Sequence, residues 1–267
     1  MPDPNRDPIR YQEHAPGPAL AALVRCYWTV NGVAPQERRP NRVMPDGCMD
    51  VIFDLRPQSE RRVYVVGAML ESAVFQHSGT IDFLGVRFVP GAVTLFLDLE
   101  ADALTARTHT GTDFWPEAGA LHDALGEIPP ALRLPMLEAF LVRQLNERRR
   151  DELALRAMGI IERSRGLLTV GAIRESLGVT ERTLQRSFNY AVGLTPKQAI
   201  RVARFRHAVA LLAGREPPSL ARLSVLTGYV DQPHFTRDFH ALAGLTPGAY
   251  AAERLVGFVQ DQDATAD

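Results

Sequence analysis

Cysteine is scarce in this 267-residue sequence, which contains only Cys26 and Cys48. Two cysteines are too few for a disulfide framework or for a zinc site built from four thiolates. Long apolar runs are missing as well, because no stretch approaches the roughly 18 apolar residues of a membrane span. The first residues lack the basic and apolar segments of a secretory signal. We therefore expect a cytoplasmic protein that contacts no membrane.

The sequence also has little that would build a metal or catalytic centre. Its N-terminal half contains His14, His77, His109 and His122 in addition to Cys48. A cupin-like metal site usually has two histidines one residue apart with a carboxylate nearby, and that spacing does not occur. No nucleophile and base stand in a catalytic arrangement either. The sequence therefore predicts no metal, no cofactor and no enzymatic activity.

Net charge is close to zero overall but is distributed unevenly along the chain. Of 30 basic and 31 acidic residues, 14 basic and 9 acidic ones lie within residues 151–255. That segment has a net charge of +5, whereas the rest of the chain has −6. A basic segment joined to an acidic one is typical of a nucleic-acid-binding domain with a separate sensing domain. A solvated basic surface would give the same charge, so both interpretations stay open here.

The first 90 residues have the pattern of β-strands separated by turns. Valine, isoleucine and aromatic residues are concentrated in five segments, with turn signals such as Asn-Gly and Pro-Gly between them. In the triplet Pro45-Asp46-Gly47, proline and glycine favour a tight turn. This pattern predicts a β-rich domain. Its predicted strands are Leu20–Val30, Cys48–Leu55, Arg62–Leu70, Ala73–His77 and Ile81–Val89.

From about Ala92 the apolar residues recur at helical spacing instead of strand spacing. A proline pair interrupts this pattern and separates the last predicted helix from the one before it. The N-terminal domain should therefore end in helices. They are predicted over residues 94–104, 117–127 and 132–150, with the break at Pro129-Pro130.

The last of these predicted helices has an apolar stripe on one face. Its leucines recur at spacings of three and four residues, which places them along one side of a helix. The stripe fits either the β-sheet or a second copy of the chain. A basic cluster ends the helix, and we place the domain boundary there, near residue 150. The stripe consists of Leu134, Leu137, Leu141 and Leu145.

The second half of the chain contains an internal repeat. The segment Thr180–Pro196 reappears 51 residues later as Asp231–Pro247. A repeat of this kind indicates two copies of one structural unit. The positions that are identical in both copies are Arg186 and Arg237, Phe188 and Phe239, Gly193 and Gly244, Leu194 and Leu245, Thr195 and Thr246, and Pro196 and Pro247.

Each copy predicts one helix with an apolar face and a polar face. The helix begins after Thr180 or Asp231, whose side-chain oxygen can accept a free backbone N–H, and ends at Gly193 or Gly244. A further helix then begins with a threonine cap followed by proline. The apolar faces contain Leu184, Phe188 and Ala191 in the first copy, and Phe235, Phe239 and Leu242 in the second.

A shorter predicted helix precedes each of these helices. Thr169 and Ser219 cap the two shorter helices, and Gly178 and Gly228 end them. Helix, short turn and second helix make a helix-turn-helix unit, which occurs twice in this chain. Between the copies lies a predicted helix at Pro196–Ala213, whose 18 residues span roughly 27 Å. A spacer of that length suits two helices separated by about one DNA turn, roughly 34 Å.

This doubled pattern resembles the AraC/XylS family of transcriptional regulators. The similarity extends over about Leu155–Arg254 and is strongest in TLQRSF with GLTPKQ and in GYVDQPHFTRDFHALAGLTPGAY. The N-terminal segments VMPDGCMDVIF and GVRFVPGA are similar to a poorly characterised sensor domain of one branch of the family. The resemblance implies a bi-lobed, all-helical DNA-binding domain, which we place at residues 151–256. Together with the residue patterns, this predicts an α+β, two-domain protein in which residues 1–150 form a β-rich sensing or dimerisation domain and 257–267 a disordered tail.

Some positions depart from the family pattern or leave two interpretations open. Where the family usually has a small alanine in the first helix of each unit, this chain has Arg174 and Ser224. Arg174 is bulky, so it either disturbs the packing of the first unit or turns outward toward a phosphate. On the connecting helix, Arg201, Arg204 and Arg206 are equally suited to phosphate contact and to pairing within the protein.

The resemblance implies DNA-contacting side chains on both long helices of the repeat. An arginine can bind guanine O6 and N7 through two hydrogen bonds, and glutamine can do the equivalent for adenine. For Arg186 and Arg237 the alternative is an ion pair with a nearby acid, Glu181 or Asp238. Their equivalent places on the polar faces favour DNA. The predicted DNA-contacting residues are Arg182, Gln185, Arg186, Asn189, Gln232, Pro233, His234, Thr236 and Arg237.

We therefore predict a sequence-specific DNA-binding transcription regulator. It would place two recognition helices in successive major grooves and be modulated through its N-terminal domain. Its expected partners are double-stranded DNA, RNA polymerase, a small-molecule effector and a second copy of the chain. One alternative is an enzyme that converts a small molecule and carries an appended DNA-binding domain. Another is a non-specific, nucleoid-like DNA-binding protein.

Overall fold

The N-terminal half of the chain folds into antiparallel β-structure. The computed structural model describes residues 9–34, 41–57, 59, 62–75, 79–97, 99–145 and 151–256. Within these residues, eight strands are formed. They are β1 (Arg10–His14), β2 (Val24–Ala34), β3 (Asn41–Val43), β4 (Met49–Asp54), β5 (Val63–Val66), β6 (Ala73–Phe75), β7 (Gly79–Phe88) and β8 (Thr108–Thr110).

Six of these strands form one sheet in the order β1-β2-β7-β4-β5-β8. Every neighbouring pair in it is antiparallel, and β3 pairs with β6 in a separate two-stranded sheet. Before β4, the side chain of Asp46 accepts the Cys48 N–H at 2.8 Å and closes the predicted turn. Val51 and Phe53 then lie on the buried face of β4. The prediction of a β-rich N-terminal domain is confirmed.

The segment after the sheet differs from the sequence prediction. A helix is expected over 94–104, but the chain forms two short 3₁₀ helices, Val93–Leu95 and Ala101–Leu104, with a turn between them. Residues 93–97 are all buried, so this stretch has no solvent-facing side as an amphipathic helix would. The helix prediction is wrong because these apolar residues fill the core from all sides.

Two α-helices follow, α1 (Ala118–Glu127) and α2 (Pro130–Gln144). Pro130 is the first residue of α2, where proline is tolerated because its missing N–H would have no partner. Leu137 and Leu141 of the leucine stripe are completely buried in the same core as the sheet. The stripe therefore packs on the sheet and is not free to bind a second copy. The predicted extension of this helix to residue 150 lies outside the described residues.

The C-terminal half is entirely helical where the structure describes it. The predicted α+β fold, with a β-rich N-terminal domain and a helical C-terminal domain, is confirmed. The predicted N-caps at Thr169, Thr180, Thr195, Ser219, Asp231 and Thr246 each accept the backbone N–H three residues later. The helices are α3 (Glu152–Arg163), α4 (Val170–Leu177), α5 (Glu181–Ala191), α6 (Pro196–Ala213), α7 (Leu220–Leu226), α8 (Gln232–Ala243) and α9 (Pro247–Val256).

These helices contribute to two hydrophobic cores. The first core contains most of the buried apolar residues of the six-stranded sheet together with those of α3, α4 and α5, and the second contains those of α7, α8 and α9. Helix α6 belongs to both, since Ala199 and Ile200 lie in the first core and Val202 and Phe205 in the second. The first helix-turn-helix unit thus shares its core with the sheet. The exact domain boundaries stay a prediction.

Candidate nucleic-acid interface

Helix α5, the second helix of the first unit, begins after its Thr180 cap. The Thr180 hydroxyl oxygen accepts the Thr183 N–H at 3.2 Å, which satisfies one of the free donors of the first turn. Leu184, Phe188 and Ala191 are completely buried in the first core. Because these residues recur at spacings of four and three, they occupy one side of the helix. The opposite side of α5 faces outward.

The outer face of α5 contains the predicted DNA-contacting residues of the first unit. Arg182 and Arg186 are exposed, and Gln185 and Asn189 are half-buried. The Gln185 amide donates to the Asn189 side-chain oxygen at 2.7 Å. In the part of the chain that the structure describes, no side chain pairs with either guanidinium group, so the alternative ion pair with Glu181 is not formed. Both arginines are free to bind a partner from outside.

Helix α8 repeats this design in the second unit. The Asp231 side chain accepts the His234 N–H at 2.7 Å and caps the helix. Phe235, Phe239 and Leu242 are buried in the second core, and the rings of the two phenylalanines lie 5.8 Å apart. The buried face of α8 therefore corresponds to that of α5. Because of the helical period, the remaining residues of α8 form an outer face as they do in α5.

The outer face of α8 presents the remaining predicted residues. Gln232, Pro233, His234 and Arg237 are exposed, and Thr236 is half-buried. The Arg237 Nε donates to the Pro233 carbonyl at 3.3 Å, so its guanidinium group lies beside the first turn of the helix. All nine predicted residues thus lie away from the cores. Their contact with DNA stays a prediction.

Two family matches divide the chain as the fold does. Residues 12–110 match a domain of unknown function (DUF6597), and residues 174–253 match a helix-turn-helix domain. The second match runs from within α4 to within α9. Residues 174–253 are an AraC-type helix-turn-helix domain. The resemblance inferred from the repeat is confirmed, and this domain is a DNA-binding domain of the kind found in transcription regulators.

Several solved structures are similar to the chain at low sequence identity. The C-terminal domain of AraT, a response regulator from Geobacillus stearothermophilus, is 22% identical over 43% of this chain and 93% of that chain, with a TM-score of 0.36. The xylose-binding transcription activator xylR is 22% identical over 41% of this chain and 29% of that chain, with a TM-score of 0.36. Unsaturated-fatty-acid-bound ToxT from Vibrio cholerae is 9% identical over 94% and 96%, with a TM-score of 0.43. No curated protein matches the sequence.

Asp238 of the AraC-type domain is occupied by contacts within the protein. Its carboxylate accepts the Arg201 Nε at 2.5 Å and the Tyr229 hydroxyl at 2.6 Å, and Arg237 forms no ion pair with it. The other arginines of the connecting helix α6 have partners too, which favours pairing over phosphate contact. Arg204 donates to the Gly166 carbonyl at 2.6 Å, and Arg206 lies 3.7 Å from the Glu162 carboxylate.

The N-terminal domain lies beside the outer face of α5. A cavity of about 720 Å³ is lined by residues of both. Arg182 and Arg186 of α5 line it together with Glu100 and Asp102 of the N-terminal domain. Asp151, which caps α3, also lines the cavity and accepts the Ser187 hydroxyl of α5 at 2.7 Å. The two N-terminal acids were not among the predicted site residues, because only the tertiary fold brings them close to α5.

The N-terminal domain also contacts the chain at the C-terminal ends of α5 and α8. After α5, the Thr105 hydroxyl donates to the Gly193 carbonyl. At the end of α8, the Ser72 hydroxyl at 2.7 Å and the Arg42 guanidinium at 3.2 Å both donate to the Ala243 carbonyl. Carbonyls at a helix end have no partner within the helix, so outside donors stabilise them. The N-terminal domain therefore contacts each unit at nearly the same place in the repeat, since Ala243 is one residue before Gly244, the counterpart of Gly193.

The described cysteines and histidines of the N-terminal domain do not cluster into a metal site. Among the described residues, no three His, Cys, Asp or Glu side chains lie together so as to hold a metal, and His77 is outside this part of the chain. Cys26 and Cys48 are buried free thiols, and burial raises the pKa of Cys26 to about 12. No described helix combines the length and apolarity that crossing a bilayer requires.

Proposed function

We propose that the chain is a sequence-specific transcription regulator that inserts α5 and α8 into successive major grooves of DNA. The observation that carries this proposal is the placement of Arg186 and Arg237. They occupy equivalent positions of the repeat, and both are exposed on the side of the helix opposite to the buried face. A helix-turn-helix protein presents its second helix to the major groove in this way.

The connecting helix supports binding by both units at once. Helix α6 has 18 residues, which corresponds to roughly 27 Å of helix. One turn of DNA is about 34 Å long, so two helices attached to the ends of such a spacer can reach neighbouring turns of one groove. The ion pair between Arg201 and Asp238 fastens α6 to α8. The separation of the two units is therefore determined before DNA is bound.

The side chains on the two outer faces suit base recognition. Arg186 and Arg237 would bind guanine through the forked guanidinium group, and Gln185 would bind adenine. The hydrogen bond between Gln185 and Asn189 holds the glutamine amide in one orientation. Orienting a flexible side chain in advance reduces the entropy that binding costs. Base recognition then gives specificity that contact with phosphates alone does not.

We also propose that the N-terminal domain modulates DNA binding. Support comes from the hydrogen bonds of Thr105, Ser72 and Arg42 to the ends of α5 and α8. A small-molecule effector, RNA polymerase or a second copy of the chain that binds the N-terminal domain would act through these contacts. Such a partner shifts DNA affinity only if it binds the DNA-bound and DNA-free arrangements with different strength.

The test compares three variants of the full-length protein on a duplex selected from a randomised pool and on a scrambled duplex. Arg186→Ala and Arg237→Ala should each weaken binding to the selected duplex by about 1 to 3 kcal/mol and relax selectivity at one base pair. Neither arginine is buried, so melting temperatures should stay close to that of the wild type. Arg156→Ala is the matched control, because Arg156 is an exposed arginine on α3.

Titration at several salt concentrations separates the two roles of an arginine. Equal weakening on both duplexes, with a salt slope reduced by about one unit, would assign Arg186 or Arg237 to phosphate and remove the base contact. Wild-type protein that binds both duplexes with the same affinity would contradict the proposed specificity altogether.

A further inference from the structure

The turn in the second helix-turn-helix unit is one residue longer than in the first. In each unit, the residue after the turn glycine donates its N–H to the carbonyl five residues earlier. Val179 donates to Arg174 at 3.2 Å, and Tyr229 donates to Ser224 at 2.9 Å. Tyr229 therefore corresponds to Val179. Val230, which directly precedes the cap of α8, has no counterpart in the first unit.

The extra residue changes which side chain packs against the start of the helix. An apolar residue before the cap often packs on the first turns of its helix. Val179 is half-buried and packs on the first core. In the second unit Tyr229 is buried, and its ring lies 5.5 Å from that of Phe235. With this position filled, Val230 points outward.

Val230 is 91% exposed, more than any other large apolar side chain in the described part of the chain. A single exposed apolar residue is common on protein surfaces and indicates nothing by itself. Its surroundings distinguish this one, because Val230 borders the same shallow depression as His234 and Arg237. Both of those residues belong to the outer face of α8. Val230 thus extends that face by one apolar side chain.

We propose that Val230 is a specificity-determining residue that contacts the 5-methyl group of a thymine in the groove entered by α8. The inference rests on the proposed function, because it requires α8 to lie in the major groove. Thymine alone presents a methyl group on the major-groove edge, and apolar side chains recognise it. Valine offers two methyl groups and no hydrogen-bonding atom. Cytosine at the same place would set a polar amino group against them, which favours thymine.

The chain provides a matched control in Val225. Val225 is 74% exposed and lies on α7 of the same unit, but it does not line the depression beside His234 and Arg237. Val225→Ser and Val230→Ser make the same chemical change on two exposed valines. A difference in DNA affinity between the two variants would therefore come from the position of the valine and not from the loss of an exposed apolar side chain as such.

The experiment measures the affinity of the full-length protein for the duplex selected from a randomised pool. Each thymine in the half contacted by α8 is replaced in turn by deoxyuridine, which lacks only the methyl group. At one thymine, the replacement should weaken wild-type binding about three- to fourfold, as expected for one buried methyl group. Val230→Ser should bind the thymine duplex more weakly by a similar factor and no longer distinguish it from the deoxyuridine duplex. Val225→Ser should behave like the wild type.

Three results would overturn the inference while leaving the proposed function intact. They are the absence of any thymine whose methyl group matters to the wild type, an unchanged thymine preference in Val230→Ser, and equal weakening by Val230→Ser on selected and scrambled duplexes. Equal affinity of the wild-type protein for the selected and scrambled duplexes is a different result, and it would contradict the proposed function. Since both valines are exposed, melting curves of the two variants should match that of the wild type.

Discussion

Arg87 lies inside the six-stranded sheet with carboxylates around it. It is 5% exposed, and its guanidinium group lies 3.1 Å from Asp50, 3.3 Å from Asp46 and 3.7 Å from Glu13. Trp28 adds an N–H donated to Asp50 at 3.2 Å. Burial raises the pKa of Asp50, and the charge of Arg87 opposes that shift. The carboxylates are tolerated in the sheet because this arginine is among them.

Replacing Arg87 with leucine should therefore destabilise the protein strongly. Removing one partner of a buried ion pair leaves an uncompensated charge, which costs about 3 to 5 kcal/mol. Without the arginine, the pKa of Asp50 rises further above its unfolded value. A carboxyl whose pKa is raised in the folded state lowers the stability of the protein as pH rises toward that pKa. The loss of unfolding free energy in Arg87→Leu should therefore be largest near pH 7 and shrink toward pH 5. Urea denaturation at both pH values measures it.

Arg62→Leu is the control for this prediction. Arg62 is exposed and pairs with Asp123 at the surface, where an ion pair contributes about 0 to 1 kcal/mol. An Arg87→Leu protein as stable as Arg62→Leu at pH 7 would contradict the account of the buried network.

At the scale of secondary-structure elements, the accuracy of the sequence prediction depends on how local the signals are. Helices α5 and α8 are predicted with their caps and buried faces, because cap, apolar spacing and terminal glycine all lie within one segment. Strands β1, β3 and β8 are missed. The stability of short strands depends on their pairing partners, which can lie far along the chain: β8 pairs with β5 and β3 with β6.

In the candidate interface, too, the features that depend on local sequence are predicted and those that depend on tertiary packing are not. The exposed faces of α5 and α8 follow from the helical period, so the nine predicted residues are found there. The closeness of Glu100 and Asp102 to α5 depends on tertiary packing, and no local pattern indicates it. For Val230, a signal was present in the sequence. Comparing the lengths of the two turns shows one extra residue in the second unit.

Asp151 provides a prediction for helix α3. Its carboxylate caps α3 by accepting the Ala154 N–H at 2.9 Å and also accepts the Ser187 hydroxyl of α5 at 2.7 Å. Asp151→Ala removes both bonds and should lower the free energy of unfolding by about 1 to 2 kcal/mol. Chemical denaturation measures the loss. Ser187→Ala removes only the link to α5 and should cost less, so the reverse order would show that the cap contributes little.

The described residues form two hydrophobic cores, and the first draws most of its buried residues from the N-terminal domain, whereas the second has only the partly buried Met44 and Leu70 of that domain packed at its edge. A fragment of residues 151–256 contains both helix-turn-helix units and α6, so it should fold and bind the selected duplex. Its first unit loses the packing of Met49 and the hydrogen bond from Thr105 at Gly193. Because that unit is then supported by less buried surface, amide protons of α5 should exchange faster than those of α8.

Circular dichroism and hydrogen exchange test this prediction on the fragment and on the full chain. A helical spectrum with a protected α8 is the expected result. A disordered spectrum would show that the AraC-type domain depends on the sheet for folding, and equal protection of both helices would show that the shared core adds no local stability.

If α5 and α8 bind successive major grooves as proposed, helix α6, with one half in each core, also limits how binding sites for such a regulator can evolve. A rigid helix fixes α5 and α8 relative to each other in rotation as well as in distance. Under the proposed binding mode, the two DNA segments must therefore keep the same rotational position relative to each other along the duplex. A single inserted base pair turns one segment by about 34° around the duplex relative to the other. New target promoters would then arise mainly by base substitution, and a one-base insertion or deletion between the segments would remove a gene from control in a single step.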